Sequence, residues 1–187
     1  DADDWSAPHR LAWLLAEAER TGAEWIGCQG YRLLGDEGEA VPLTYPADVN
    51  AALATWPARY ALLHPTSLVS RNLVQRAGGF ATGLRFSGDL EFQHRAVHVG
   101  RLVNSRRFAY FKRAHPAALT ARPDTGIGSP ARQALWAVEA ERARANAARV
   151  AAGRPPDLTP LATAGPIRLE HLAGPPLQPP PHAGSAA

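Results

Sequence analysis

Proline is spread unevenly along this chain, and its distribution limits where a folded core can lie. Nine of the 17 prolines fall after Gly153. Proline fixes its own φ, has no backbone donor and biases the residue before it away from the helical region, so so dense a run excludes long helices and central strands. The same stretch has little charge and few large apolar residues, so residues 154–187 are expected to be disordered or loosely draped over the surface. What precedes it, about 150 residues, is the size of one domain with a real core. Overall, 45% apolar and 20% charged residues are the fractions of a soluble globular protein. No run of about 18 apolar residues predicts a spanning helix. The single Cys28 excludes an internal disulfide and a cysteine metal cluster.

The net charge of +3 hides an asymmetry. Residues 1–48 carry ten acids and three bases, whereas residues 49–150 carry fifteen bases and five acids. The basic residues are 19 arginines and Lys112, scattered among apolar positions. With no basic helix and no aromatic-interleaved motif, nucleic acid is not an expected partner. A phosphate-bearing small substrate or anionic lipid headgroups would use the same charge.

Periodicity and punctuation predict an α/β chain. Ser6 and Pro8 start a helix that Gly22 closes. Glu24–Leu34 reads as a strand, Gly35–Pro57 as a loop region with a short helix near Val49–Trp56, and Tyr60–Leu63 as a short strand. Helices are expected over Ser70–Ala77 and Asp89–Val99, with strand character at Leu102-Val103 and Phe108–Phe111. Ser129-Pro130 starts a last helix, running to about Val150. Trp13, Trp25, Trp56 and Trp136 read as core.

Three stretches carry chemistry. Asp1-Ala2-Asp3-Asp4 is dense enough in carboxylates to hold a hard divalent cation, or alternatively to cap the helix that follows. The chain has no methionine and opens on this motif, so it is expected to be a piece of a longer protein. Gly78-Gly79 after a short helix permits a sharp turn and a close approach to a ligand. Gly88-Asp89 then places a carboxylate in the first turn of the next helix, where it is either a cap or a general base facing a sugar hydroxyl. His94 and His98 share a helical face, but no Glu follows His94, so a zinc-protease site is not expected.

In order, Asp1-Ala2-Asp3-Asp4-Trp5, His64–Arg71, Gly78-Gly79-Phe80 with Gly88-Asp89, and Arg113–Thr120 resemble the DxD motif and downstream blocks of family 2 glycosyltransferases, spanning about residues 1–125. These are bacterial inverting enzymes of GT-A fold that act on nucleotide sugars and include many of cell-envelope polysaccharide synthesis. The resemblance implies an α/β fold, a partial GT-A domain with a mixed sheet flanked by helices and without the N-terminal nucleotide-binding half. Residues 1–125 would be its acceptor side, 126–153 a C-terminal amphipathic helix and 154–187 the tail. It implies Mn²⁺ or Mg²⁺ held by Asp1, Asp3 and His115, and Asp89 as the base that deprotonates the acceptor. Asp1, Asp4, Trp5, Gly79, Arg95 and Arg113 would bind the donor, a UDP-, GDP- or dTDP-linked sugar, and a glycan or lipid-linked molecule would be the acceptor. A cytoplasmic location follows, with peripheral contact at the inner face of the cell membrane. Two features depart from the family: Gly88 replaces an acid that often precedes the base, and the QxxRW motif of processive synthases is absent. Rival readings are a binding fragment without catalysis and a phosphohydrolase built on the acidic motif.

Overall fold

The structure, a computed structural model, describes residues 3–35, 39–55, 60–165, 170 and 172–175. Its centre is a sheet built on two long parallel strands, β2 (Trp25–Leu34) and β5 (Leu102–Arg113). Three shorter strands pair antiparallel: β1 (Trp5–Ser6) with β5, and β3 (Glu39–Leu43) and β4 (Leu68–Val69) with β2. The order is β1-β5-β2-β3, a mixed sheet as expected.

Successive side chains of β2 serve opposite faces, as strand geometry requires. Trp25 enters one core with Leu62, Leu73, Phe92 and Leu102. It is covered by α2 (Val49–Ala54), α3 (Arg71–Arg76) and α4 (Gly88–Ala96). Ile26 and Cys28 enter a second core with Leu14, Ala109 and Tyr110, covered by α1 (Arg10–Thr21). Full burial of side chains of this size contributes about 1.5–3 kcal/mol each. The last helix, α5 (Pro130–Ala151), starts behind Ser129, whose hydroxyl accepts from Arg132 N. Among the described residues no helix is long and apolar enough to cross a membrane.

Where local signals are strong, the elements fall as expected. Gly22 closes α1 at φ +68, a left-handed backbone that glycine adopts without the Cβ penalty. Ser70 caps α3 by accepting from Leu73 N, and Asp48 caps α2 by accepting from Ala51 N.

Two expectations fail for a tertiary reason. Glu39–Leu43 lies in the stretch read as loop, yet it is an edge strand registered against Gly30–Leu34. It is mostly exposed and carries Pro42, so its pairing comes from β2 rather than from its own pattern. Tyr60–Leu63 is not a strand. Side-chain amides satisfy its backbone: Gln93 accepts from Leu62 N and donates to Leu62 O, and Asn104 donates to Ala61 O. Trp56 lies outside the described residues.

The proline-rich segment also departs from expectation over residues 154–165, which form a strap held at specific points. Asn146 donates to Asp157 O and accepts from Asp157 N. Leu158 O accepts from Arg95, Leu161 N donates to Glu91, and Ala162 O accepts from Gly83 N. A Cβ on Gly78 would stand 2.5 Å from Leu158 O, so the diglycine turn makes room for the strap.

Candidate active site

A cavity of about 780 Å³ opens at the carboxyl ends of β2 and β5. That end of a parallel strand pair is where open α/β sheets bind ligands. Asp4, Arg32, Tyr60, Asp89, Lys112 and Trp136 are among the residues lining it.

Asp89 stands in the first turn of α4. Its Oδ2 accepts from the Tyr60 hydroxyl, and its Oδ1 accepts from Leu90 N at 3.0 Å. Burial, and then the charge of Asp89, push the Tyr60 phenol well above its usual range. Tyr60 therefore remains a proton donor that fixes the carboxylate. The turn into α4 is strained: Ser87 has φ +63, the only positive φ outside glycine among the described residues. Such a conformation costs about 1–3 kcal/mol and persists only where surroundings enforce it. Here Trp136 of α5 donates from Nε1 to Ser87 Oγ at 2.8 Å. α5 thus helps set where Asp89 points.

The second acidic group lies where β1 meets the end of β5. Asp4 accepts from the Tyr110 hydroxyl at 2.7 Å and from Arg113 N at 2.8 Å, so each of its oxygens has a fixed donor. Burial, with the hydrogen bond to Asp4, raises the Tyr110 phenol. Asp3 Oδ2 meets His115 Nε2 at 2.9 Å, and both side chains are one-third exposed. A smaller cavity of about 310 Å³ is lined by Asp3, Asp4, Arg113 and His115, and Lys112 lines both cavities. Asp1 lies outside the described residues.

Asp3, Asp4, Arg113 and His115, far apart in sequence, thus come together, and Asp89 shares a cavity with Asp4. Three expected donor-binding residues are placed elsewhere. Arg95 is 1% exposed and does not line the cavity. It is paired with Glu91 at 2.6 Å and donates to the carbonyls of Ala77, Gly79 and Leu158. A guanidinium committed in this way holds the diglycine turn and the strap, so the phosphate role expected of it does not fit. Gly79, at φ +78, also lies off the cavity; its carbonyl serves Arg95. Trp5 is 54% exposed and stacks on Phe111 with centroids 5.8 Å apart, outside both cavities.

Sequence reasoning missed several cavity residues. Arg10 donates to Pro65 O and lies over the Tyr110 ring. Arg32 and Lys112 are register partners on β2 and β5. Tyr60, Tyr110 and Arg132 carry no motif of their own. Trp136, read as core, is part of the cavity wall. The one usable signal was period two along β5, which places Tyr110 and Lys112 on one face.

Among the described residues no group of three or more His, Cys, Asp or Glu is arranged to hold a metal ion. In the smaller cavity Asp3 and His115 offer one carboxylate and one imidazole.

No protein-family model and no curated protein matches the chain. Among solved structures, the crystal structure of S. aureus TarS 1–349, a glycosyltransferase, is similar at 15% sequence identity and a TM-score of 0.43. The match covers 80% of this chain and 47% of that one, so the chain spans about half the length of that structure.

Proposed function

We propose that this chain carries the acceptor side and the metal-binding end of an inverting glycosyltransferase of the family 2 type. The observation that carries the reading is that Asp89 and Asp4, each held by a tyrosine hydroxyl, face one cavity at the carboxyl ends of β2 and β5. Asp89 takes the proton of an acceptor hydroxyl as its oxygen bonds to the anomeric carbon. The bond from that carbon to the diphosphate oxygen breaks on the opposite side, with inversion. A single displacement of this kind needs one base, and its leaving group needs positive charge. Lys112, Arg10 and Arg32 supply fixed charge in the cavity, and Arg113 supplies it at the Asp3–His115 end.

Asp3 and His115 would hold Mn²⁺ or Mg²⁺, with Asp1 the further expected ligand. When bound, the ion would neutralise charge developing on the diphosphate. The donor would be a UDP-, GDP- or dTDP-linked sugar, and the acceptor a glycan or lipid-linked molecule. The protein would work in the cytoplasm, with peripheral contact at the inner face of the membrane.

On this reading the nucleotide-binding half is absent from the chain, which alone should not catalyse transfer. Calorimetry with Mn²⁺ and nucleoside diphosphates on the protein completed with that half, followed by an assay with a panel of nucleotide sugars, tests this reading. Nucleotide binding that requires Mn²⁺ and weakens by about tenfold or more in Asp3→Ala and His115→Ala is expected. Metal affinity unchanged in both variants would remove Asp3 and His115 from the site. Nucleotide binding with no transfer to any acceptor would favour a binding role without catalysis.

A further inference from the structure

Arg132 is the cavity residue that the transfer chemistry leaves unused. It sits in the first turn of α5, is 8% exposed, and lies 4.6 Å over the Phe86 ring. Its Nε donates to Thr125 O at 2.9 Å. Its two terminal nitrogens make no hydrogen bond to a described residue, and no described carboxylate lies within ion-pair distance of it. Arg95 provides the contrast. Also buried, it has a carboxylate at 2.6 Å and three carbonyls. An arginine fork left open toward a cavity is suited to a phosphate or carboxylate.

Arg132 lines the same cavity as Asp89 and stands on the helix whose Trp136 holds Ser87, two residues before Asp89. Of the charged groups around it, Glu139 of α5 feels its charge, and Asp89 of α4 lines the same cavity. Glu91 is consumed by Arg95. Burial, then the charges of Glu91 and Asp89, push the Glu139 carboxyl up to about 8, so at neutral pH it does not neutralise Arg132.

We propose that Arg132 binds an anionic group of the acceptor, a phosphate ester or a carboxylate, and so sets the neighbouring hydroxyl against Asp89. This rests on the reading of Asp89 as the acceptor-side base. It makes Arg132 a specificity-determining residue and narrows the acceptor to an acidic glycan or lipid-linked molecule.

The test is calorimetric titration of the protein, without nucleotide, using glycerol 1-phosphate, glucuronate and their neutral counterparts glycerol and glucose. One of the two anions is expected to bind while the neutral compounds do not, and which one binds identifies the anionic group. Arg132→Gln should weaken that binding by about tenfold or more, and Arg132→Lys by less, because it keeps the charge and loses the fork. Equal affinity in wild type and Arg132→Gln, or no preference for anions, would overturn the proposal. Should Arg132→Gln not fold, tryptophan fluorescence decides. The anion should change the emission of wild type, and the change should vanish in Trp136→Phe; no change in wild type would overturn the proposal. Titration of UDP with Mn²⁺ is scored separately. Its failure alongside intact anion binding would count against the transferase reading and leave the anion site standing.

Discussion

Asp89 and Glu91 stand two residues apart in the first turn of α4, and the fold uses them in opposite ways. Glu91 is 3% exposed and its oxygens are closed off: Arg95 takes both, and Leu161 N of the strap takes one. Asp89 opens to the cavity, and its fixed donors are the Tyr60 hydroxyl and the Leu90 amide. A carboxylate saturated by a guanidinium and a backbone donor organises the chain around it. One held by neutral donors and open to a cavity can still accept a proton. The same contrast separates Arg95 from Arg132. In this molecule, burial and partners assign a charged residue its work, and residue type and helical position do not.

The contrast can be broken most forcefully at Arg95. Arg95→Met removes the close cation of buried Glu91, leaving Arg142 at 3.8 Å, and should cost about 3–5 kcal/mol in urea unfolding. A loss below about 1 kcal/mol would mean that the pair does not organise this region. Shortening the chain to end at Gly153 removes the strap partners of Glu91, Arg95 and Asn146. Glu91 and Arg95 keep each other while Asn146 loses both of its partners, and a buried polar group left unpaired costs about 1–3 kcal/mol, so a loss of that order is expected. An unchanged midpoint would show that the strap is ornamental.

A smaller effect of opposite sign is expected at Glu139. It is 3% exposed, neither of its oxygens has a hydrogen-bond partner among the described residues, and its carboxyl is pushed up to about 8 from an ordinary 4.5. The unfolded chain releases this proton near 4.5 while the folded protein keeps it to about 8, so this group's contribution to stability falls as pH rises across that window. Glu139→Gln removes that loss and should stabilise by about 1–2 kcal/mol at pH 8, with the gain shrinking toward pH 4.5. Comparing variant with wild type at each pH isolates the group from His94, which burial holds near 4 and which acts in the opposite direction. A gain that does not depend on pH would show that Glu139 is ionised in the folded state.

The parts of the fold legible in the sequence were those fixed by nearest neighbours in the chain. The Gly22 stop of α1, the Ser70 cap of α3, the Ser129-Pro130 start of α5 and the apolar run of β2 are local signals. The β3 edge and the irregular Tyr60–Leu63 segment were not legible, because β2 pairs with one and the amides of Gln93 and Asn104 satisfy the other. The site divides along the same line. The acids at 3, 4 and 89 and His115 were found through ordered motifs. Their tyrosine partners, 60 and 110, come from distant segments and carry no pattern. Arg95 and Arg132 look alike on paper, each a helical arginine, and only tertiary packing shows that one is paired and the other open.

The most direct test of the central claim is a paired measurement of transfer rate and stability in Asp89→Asn and Arg95→Met, made in the protein completed with a nucleotide-binding half. Asp89→Asn keeps the shape of the side chain and its place in the helix but cannot take the proton. The account expects turnover to fall by about 10²–10⁴ with nucleotide affinity and melting temperature near wild type. Arg95→Met should show the reverse, lost stability with near-normal turnover per folded molecule. Near-normal turnover in Asp89→Asn would contradict the account and leave Asp89 as a helix-end carboxylate held by a tyrosine.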